Sequence, residues 1–353
     1  MKTVTFILPN YSRNPVGGYK VVFEYANELV DDNFKVNIIF LNKDALLRYN
    51  LPEWCKRILI NQITRKEPKW FSLDKRINKV SARGNQLSNI INNSDVVIAT
   101  AAITVGTTYN LFRKKAKLVY FIQGYENWSI STKQLYKTYN MGFKKIVIAK
   151  WLKQIVDKHS KNPAIYVPNS LDTTRYQVIN PISKRNKFKI GMLYHDNPVK
   201  GAKYGLKALQ IVHKRYPQLK VKMFGTAPTP KNLPDWIDYT RNATQEETIN
   251  IYNSISIFLC SSIEDGFGLT GLEAMSCGAA LVSSKNGGVN EYANDGKNAL
   301  LAPVKDARTL ANHIIELIEK DNLRQELAIN GEKQAQNYSF SVAYKKFKDA
   351  ILN

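Results

Sequence analysis

Two carboxylates stand eight residues apart in the segment EDGFGLTGLEAMSCG, which occupies residues 264–278. Asp265 and Glu273 lie on either side of a glycine-bracketed phenylalanine and the start of a predicted helix. Each carboxylate could accept hydrogen bonds from a different set of ligand hydroxyls, and the first amides of the helix could hold an anion. The alternative is structural: Asp265 caps the helix, and Glu273 interacts with the helix dipole in the first turn.

Two further segments carry groups suited to an anion, and each directly follows a predicted strand. Gly17 and Gly18 precede the first helix, where glycines let the backbone approach a ligand and the first amides are free. In YHDNPVKG, Lys200 could place an ammonium group against a phosphate, with Gly201 beside it. The alternative for both segments is an ordinary surface turn.

Short β-branched runs alternate with helical patterns along the chain, in two series. This alternation predicts two parallel, doubly wound α/β sheets in tandem. No GxGxxG motif opens either series, which weakens the hypothesis of a dinucleotide oxidoreductase. The predicted strands are VTFILP, KVNIIFL, DVVIAT, KLVYFIQ and KKIVIA in the first series, and KFKIGMLY, LKVKMFG, SISIFLC, GAALVSS and NALLA in the second.

The chain is long enough for two domains, since 353 residues exceed the size of one ordinary hydrophobic core. Residues 162–187 contain three prolines and many polar residues without a sustained helical period, and we interpret them as the interdomain connection. We therefore predict domains at residues 1–178 and 179–337. An amphipathic helix at 338–353 would close the chain and return to the first domain. The ligand is expected at the carboxyl ends of the strands, in a cleft between the domains.

The net charge of +22 is concentrated in the first half of the chain. Residues 1–180 hold 28 Lys and Arg against 12 Asp and Glu. The partner should therefore be anionic: lipid headgroups, a phosphorylated substrate or nucleic acid. The densest part, from Lys56 to Arg83, interleaves nine basic residues with Trp70 and Phe71. We interpret it as a membrane-surface patch, with an ordinary solvated face as the alternative.

Cysteine usage and hydropathy bear on the compartment. Three widely spaced cysteines form neither a disulfide framework nor a zinc site, which indicates a reducing compartment. The apolar run near the N-terminus is too short for a signal sequence, and no segment offers about 18 consecutive apolar residues for a membrane span. We expect a cytoplasmic protein, peripheral on the inner face of the cell membrane.

The segment EDGFGLTGLEAMSCGAALVSS, followed by GGVNEYANDGKNALL, resembles the donor-binding signature of glycosyltransferase family 4. Gly17-Gly18, Asn169-x2-Asp172, Lys200-Gly201 and Gly287-Gly288-x2-Glu291 fall in that family's order along most of the chain. The resemblance implies a GT-B fold: two Rossmann-like, doubly wound parallel-sheet domains that face a cleft. It also implies a retaining hexosyltransferase that moves a sugar from a UDP or dTDP sugar to a saccharide acceptor, in bacterial cell-surface polysaccharide or glycan synthesis.

The resemblance also implies roles for individual residues. Glu273 would bind the ribose hydroxyls and Asp265 the hydroxyls of the donor sugar. Lys200 and the amides near Leu269 and Thr270 would contact the diphosphate, with Gly17-Gly18 closing over it from the other domain. Asp265, Lys200 and His195 are the expected catalytic residues. The expected donor-binding residues are Gly17, Gly18, Lys200, Gly201, Gly266, Phe267, Gly268, Leu269, Thr270 and Glu273.

Three positions depart from the family's pattern. Asp265 stands where Glu is usual, which shortens the reach by one methylene, and Glu264 is a candidate to substitute for it. His195 stands where Arg is usual and carries a full charge only if the diphosphate raises its pKa. Gln123 stands where family members often have histidine. It can hydrogen-bond a sugar hydroxyl but cannot act as a charged acid, and we expect Gln123 and Glu264 to be acceptor or sugar contacts.

We expect no cofactor and no metal, because side-chain cations and a helix dipole can stabilise the leaving phosphate and no DxD run ends a strand. The expected partners are a nucleotide-sugar donor, a saccharide acceptor that is lipid-linked, and an anionic membrane. One alternative is a non-hydrolysing sugar-nucleotide epimerase, for which only His195 of the four histidines is suitably placed. The other is a basic nucleic-acid-binding protein. No RRM, KH, zinc-finger or helix-turn-helix pattern supports it, and we expect no nucleic acid.

Overall fold

The computed structural model describes residues 1–42, 45–46, 49–81 and 93–353. These residues form two units: the first comprises Met1–Pro168 and Tyr344–Asn353, and the second comprises Asn169–Ala343. Each unit is built around one parallel sheet, with helices between most of the successive strands. The prediction of two doubly wound α/β sheets is therefore confirmed.

The first unit contains a seven-stranded sheet in the order β3-β2-β1-β4-β5-β6-β7, and neighbouring strands pair in parallel. Its buried strands supply the core, with Val4, Phe6 and Ile98 fully enclosed. The elements are β1 (Thr3–Leu8), α1 (Gly17–Asp31), β2 (Lys35–Phe40), α2 (Glu53–Lys66), β3 (Asn78–Ser81), β4 (Val96–Ala99), α3 (Ala102–Phe112), β5 (Lys117–Ile122), α4 (Thr132–Thr138), β6 (Lys144–Val147), α5 (Lys150–Lys158) and β7 (Ile165–Tyr166).

The second unit contains a six-stranded sheet in the order β10-β9-β8-β11-β12-β13, again paired in parallel. Its core lies between this sheet and the helices, around Met192, Leu209 and Leu310. The elements are β8 (Lys189–Tyr194), α6 (Ala202–Arg215), β9 (Lys220–Gly225), β10 (Ile237–Arg241), α7 (Gln245–Ser254), β11 (Ile257–Cys260), α8 (Leu269–Ser276), β12 (Ala280–Ser284), β13 (Ala299–Ala302), α9 (Ala307–Glu319), α10 (Asp321–Ala335) and α11 (Phe340–Leu352), whose last turns belong to the first unit.

The ten predicted strands are all present, but β3, β7 and β10 were not predicted. All three lie at sheet edges, where a strand has one neighbour and less buried surface. Their residues, NKVS, IY and IDYTR, accordingly lack the continuous apolar run that marks a buried parallel strand.

The second unit begins at Asn169 rather than at residue 179, because the residues that follow Pro168 pack within it. Leu171 donates its N–H to Tyr338 O at 3.0 Å and accepts from Phe340 N at 3.1 Å. The guanidinium of Arg185 fixes the rest of the connection by donating to the carbonyl oxygens of Asn180, Tyr252, Ile255 and Cys277. Burial lowers the pKa of Arg185 to about 10.

The end of α11 packs in the first unit through aromatic side chains. Phe347 stacks on Tyr25 with ring centroids 4.2 Å apart, and the hydroxyl of Tyr344 donates to Asp32. Lys348 also pairs with Asp32, at 2.8 Å. The amphipathic helix expected at 338–353 thus begins in the second unit, at Phe340, and its residues 344–352 belong to the first.

Each sheet reverses its winding direction at one point. The chain moves outward from β1 to β3 and then returns to form β4 on the other side of β1. In the second unit it likewise returns to form β11 beside β8. At this point the loops that follow two neighbouring strands run in opposite directions and form a crevice between them. Ligands of this class of sheet bind in that crevice, at the carboxyl ends of the strands. Lys200 follows β8 and Asp265 follows β11, so both lie at the reversal in the second sheet.

A buried glutamate fixes the loop after β5 in the first unit. Glu126 is 8% exposed, and its carboxylate accepts a hydrogen bond from the N–H of Ala102, the first residue of α3. Burial raises the pKa of Glu126 to about 7, although the hydrogen bond from Ala102 acts in the opposite direction. Burial raises the pKa of Tyr19 to about 12, and the charge of the Glu126 carboxylate acts in the same direction.

We predict that Glu126 makes the stability of the protein depend on pH. Its pKa is higher in the folded than in the unfolded chain, so its favourable contribution is complete below about pH 4 and is lost as the pH rises through about 7. Glu126→Gln retains an acceptor for Ala102 without the charge. In urea unfolding from pH 5 to pH 8, the free energy of unfolding of the wild type should fall by about 3 kcal/mol relative to this variant.

The matched control is Glu326→Gln, which removes one negative charge from an exposed position of the second unit. Its difference from the wild type should change little over the same pH range. A pH-independent difference between Glu126→Gln and the wild type would show that the Glu126 carboxyl does not titrate in this range.

Candidate functional site

The turn that carries Lys200 is locked against the loop after β11. Gly201 has φ +62°, in the left-handed region that favours glycine, and a Cβ there would lie 2.1 Å from Ser261 O. The N–H of Ile263 donates to Val199 O at 2.8 Å. The close approach of the two loops therefore requires glycine at position 201, next to Lys200.

Lys200 and Asp265 form a partly buried ion pair. The distance between Lys200 Nζ and Asp265 Oδ2 is 2.9 Å. Burial alone would lower the pKa of Lys200, but the charges of Asp265 and its neighbours raise it above its ordinary value. Glu264 lies beside the pair, and burial together with the charge of Asp265 raises the pKa of Glu264. The structure thus brings together one ammonium and two carboxyl groups at the reversal of the sheet.

Asp265 is not a helix cap, and Glu273 is not in the first helical turn. Helix α8 begins at Leu269, four residues after Asp265, and Glu273 is its fifth residue. The N–H of Asp265 donates to Asn286 O at 3.0 Å, and Asp265 forms a β-bridge with Gly287. The structural alternative for these two acidic residues is therefore wrong.

The N-terminus of α8 is held by backbone geometry rather than by a side-chain cap. Gly268 precedes the helix with φ +83°, and the Tyr292 hydroxyl donates to its carbonyl at 2.6 Å. The first helical hydrogen bond comes from the N–H of Gly271 to Gly268 O, so the amides of Leu269 and Thr270 precede it. Thr270 and Lys200 line one small pocket, together with Ser261 and Ser262. The helix dipole adds positive potential at this end.

The phenylalanine between the two glycines has a packing role. Phe267 is 2% exposed, and its ring lies 5.8 Å from those of Tyr292 and Tyr338. Gly266, Phe267 and Gly268 were all expected to bind a donor. The side chain of Phe267 is buried and shapes the loop. Any contact of Phe267 with a ligand would therefore be made by its backbone.

Glu273 lies inside the second unit, where a tyrosine orients it. The residue is 6% exposed, and its Oε2 accepts a hydrogen bond from the Tyr252 hydroxyl at 3.0 Å. Burial and the neighbouring Glu273 raise the pKa of Tyr252 well above its usual value, so this hydroxyl remains a donor. Sequence reasoning identified Glu273 but missed Tyr252, which lies 21 residues earlier on α7.

His195 is oriented within its own turn. Its Nδ1 accepts a hydrogen bond from the N–H of Asn197 at 2.9 Å and lies 3.1 Å from Asp196 Oδ1. The bond from Asn197 leaves Nε2 as the ring nitrogen available to a ligand. The structure therefore pairs Lys200 with Asp265, and places His195 with Asp196 and Asn197.

The candidate residues of the first unit form a group of their own at the start of α1. Helix α1 begins at Gly17, and a Cβ at Gly18 would lie 3.3 Å from the side-chain oxygen of Gln123. That oxygen, Oε1, is buried and has no hydrogen-bond partner in the described part of the chain. An unpartnered buried acceptor is costly, so this position is suited to a ligand hydroxyl or a bound water.

Glu126 is the residue of the first unit that sequence reasoning missed. It is the only acidic residue between Asp95 and Asp157. A lone carboxylate in so basic a region, three residues after Gln123, was the available signal. From a buried position its carboxylate accepts a hydrogen bond at the start of α3.

Comparisons with known proteins bear on the family and on the fold. Residues 177–334 match the sequence model of the family described as glycosyl transferases group 1. The uncharacterized glycosyltransferase MJ1178 of Methanocaldococcus jannaschii is 23% identical over 204 residues, 55% of this chain and 55% of that protein. A second one, MJ1069 of the same organism, is 35% identical over 127 residues, 34% of this chain and 32% of that protein. The chain thus matches about half or less of these relatives' lengths.

A solved structure extends the comparison to nearly the whole chain. Anabaena Alr3699/HepE, in complex with UDP and glucose, superposes with a TM-score of 0.77 at 16% sequence identity, and 99% of each chain is covered. At this identity the likeness shows the fold alone. The chain therefore has the GT-B fold, and its residues 177–334 are similar to the family of glycosyl transferases group 1.

Proposed function

We propose that the protein is a retaining glycosyltransferase that moves a sugar from a nucleoside-diphosphate sugar, UDP or dTDP, to a saccharide acceptor. The observation that carries the proposal is the Lys200–Asp265 pair beside the N-terminus of α8, at the reversal of the second sheet. The match of residues 177–334 to glycosyl transferases group 1 supports it, as does a fold shared with a protein solved with UDP-glucose.

In this proposal, the second unit binds the diphosphate, the ribose and the sugar of the donor through different residues. Lys200 and the amides of Leu269 and Thr270 contact the diphosphate. A lysine ammonium carries three N–H donors, so Lys200 can keep its bond to Asp265 and still donate to a phosphate oxygen. Glu273, oriented by Tyr252, accepts from the ribose hydroxyls. Asp265 accepts from hydroxyls of the donor sugar.

The transfer step needs stabilisation of a leaving phosphate more than it needs a base. The bond between the anomeric carbon and the phosphate oxygen breaks, and the acceptor oxygen bonds to the same face of that carbon. The acceptor proton passes to the departing phosphate oxygen. Lys200, the N-terminus of α8 and Nε2 of His195 stabilise the negative charge that develops on the phosphate. Configuration is retained because attack and departure share one face.

The acceptor in this proposal is a lipid-linked saccharide at an anionic membrane, in cell-surface polysaccharide or glycan synthesis. The concentration of positive charge in residues 1–180 supports such a partner. Gln123 would contact the acceptor or the transferred sugar through its unpartnered side-chain oxygen.

The proposal is tested by incubating the protein with UDP, dTDP and GDP sugars and measuring the melting temperature. A donor that binds the folded state raises it. Sugar transfer to saccharide acceptors is then measured with the donor that binds. Conversion of the nucleotide sugar without any acceptor would instead identify an epimerase. Absence of binding to every nucleotide sugar would contradict the proposal.

Lys200→Met should lower kcat/KM by roughly 10²–10³-fold, because the leaving phosphate loses its positioned cation. It should also weaken binding of free UDP or dTDP, measured by isothermal titration calorimetry. The matched control is Lys203→Met, three residues further on and exposed, which removes the same charge from the same unit. Equal effects from both substitutions would indicate general electrostatics rather than a phosphate contact.

Asp265 and Glu273 should behave differently when substituted. Glu273→Ala should weaken binding of the free nucleotide, because the ribose contact is lost. Asp265→Asn should spare or strengthen nucleotide binding, since Lys200 is no longer neutralised at 2.9 Å, while transfer falls. Titration calorimetry with free UDP or dTDP and a transfer assay on the same preparations separate the two effects. Equal loss of nucleotide affinity in both variants would refute this division of roles.

Transfer should need no divalent metal, because Lys200 and the N-terminus of α8 supply positive potential where the diphosphate would lie. Activity should therefore persist in excess EDTA. The control adds Mg²⁺ or Mn²⁺ back to the treated protein. Complete loss of activity in EDTA, restored by either ion, would show that a metal takes part.

A further inference from the structure

Helix α2 exposes apolar side chains on its outer face. Trp54 is 64% exposed, Ile58 51% and Leu59 41%. The inner face instead buries Lys56, Ile60 and Thr64. A helix on a protein surface normally places its apolar stripe inward, so this distribution is reversed.

Polar contacts on the inner face fix the orientation of α2. The Asn42 side chain donates to Thr64 Oγ1 at 3.3 Å and to Ser81 Oγ of β3 at 2.8 Å. The ammonium of Lys56 lies 3.6 Å from Glu53 Oε1. Because the inner face is committed to these contacts, Trp54 and Ile58 point to solvent in the folded unit.

Basic residues accompany the apolar ones on the outer face. At 100° per residue, Trp54, Ile58 and Arg65 fall in one row along the helix, and Lys66 lies beside Leu59. Arg65 and Lys66 are exposed, as is Leu51 just before the helix. We define the α2 face as Leu51, Trp54, Ile58, Leu59, Arg65 and Lys66.

The α2 face overlaps the patch expected at residues 56–83 only through its part of helix α2, from Ile58 to Lys66. Lys56 is buried in an ion pair, and Arg83 lies outside the described residues. Trp70 and Phe71 pack on Phe23, with ring centroids 5.6 Å and 5.5 Å away. The exposed apolar surface therefore begins before that segment and is concentrated in the first turns of α2.

We propose that the α2 face docks the protein on an anionic lipid surface, with α2 lying in the plane of the headgroups. Trp, Ile and Leu enter the boundary of the acyl chains, and Arg65 and Lys66 extend to the lipid phosphates. The excess of positive charge in residues 1–180 favours an anionic membrane over a neutral apolar partner. No described helix is both long and apolar enough to cross a membrane. Docking is thus peripheral.

This inference does not depend on the proposed activity, since no residue of the α2 face belongs to the candidate site. The test is co-sedimentation of the full chain with vesicles of phosphatidylcholine alone and with 30% phosphatidylglycerol. The wild type should bind the anionic vesicles, and binding should weaken as salt rises from about 0.05 M to 0.5 M.

Trp54→Ser/Ile58→Ser and Arg65→Glu/Lys66→Glu should each reduce binding to the anionic vesicles by about tenfold or more, through lost apolar burial and reversed charge respectively. The matched charge control is Lys114→Glu/Lys115→Glu, exposed in the same unit. The apolar control is Ile329→Ser, 43% exposed in the second unit. Both controls should bind almost as the wild type does. Melting curves of all variants verify folding.

Three outcomes would overturn the proposal. Equal loss of binding in the Lys114/Lys115 variant would mean that overall charge, not the α2 face, binds the lipid. Equal binding to phosphatidylcholine alone would contradict an anionic preference. A wild-type dimer that Trp54→Ser/Ile58→Ser converts to a monomer, without vesicle binding, would show that the face is covered by a second copy of the chain.

Discussion

The reversal of winding between β8 and β11 is the constraint on which the candidate donor site depends. It brings the carboxyl ends of two strands far apart in sequence side by side, so one loop supplies Lys200 and the other Asp265. A covalent chain that wound in one direction only would leave no crevice between these loops. The packing of Gly201 on Ser261 then sets the distance between the two charged groups.

The Lys200–Asp265 pair changes the electrostatics expected for a phosphate site. A lone lysine would offer a full positive charge, whereas a paired one offers two remaining N–H donors and a largely compensated charge. If a diphosphate binds here as we propose, the N-terminus of α8 has to supply much of the positive potential. Gly268 and Tyr292 fix that terminus without a capping side chain, so no cap competes for the amides that the proposed ligand would use.

The sequence was sufficient for the inner strands and for the segments that carry Lys200, Asp265 and Glu273, because buried parallel strands have continuous apolar runs and these segments follow them. It was insufficient for edge strands such as β10, whose polar residues resemble a loop. It also could not pair Lys200 with Asp265 or place Phe267 in the aromatic cluster, since both arrangements arise from contacts between loops more than twenty residues apart. Glu126 needed the fold, because its bond to Ala102 joins two neighbouring strand ends.

Composition alone does not show which residues of the basic segment of the first unit are exposed. A count treats every lysine as exposed, yet Lys56 is buried beside Glu53 while Trp54 and Ile58 face solvent. Hydrogen bonds determine which side of α2 is buried. Asn42 donates to Thr64 of α2 and to Ser81 of β3, so the side of the helix that carries Thr64 faces inward. The apolar side is then left outward by the same contacts that fold the unit. The exposure of Trp54 and Ile58 therefore follows from the fold, and the lipid surface that we propose would cover these side chains.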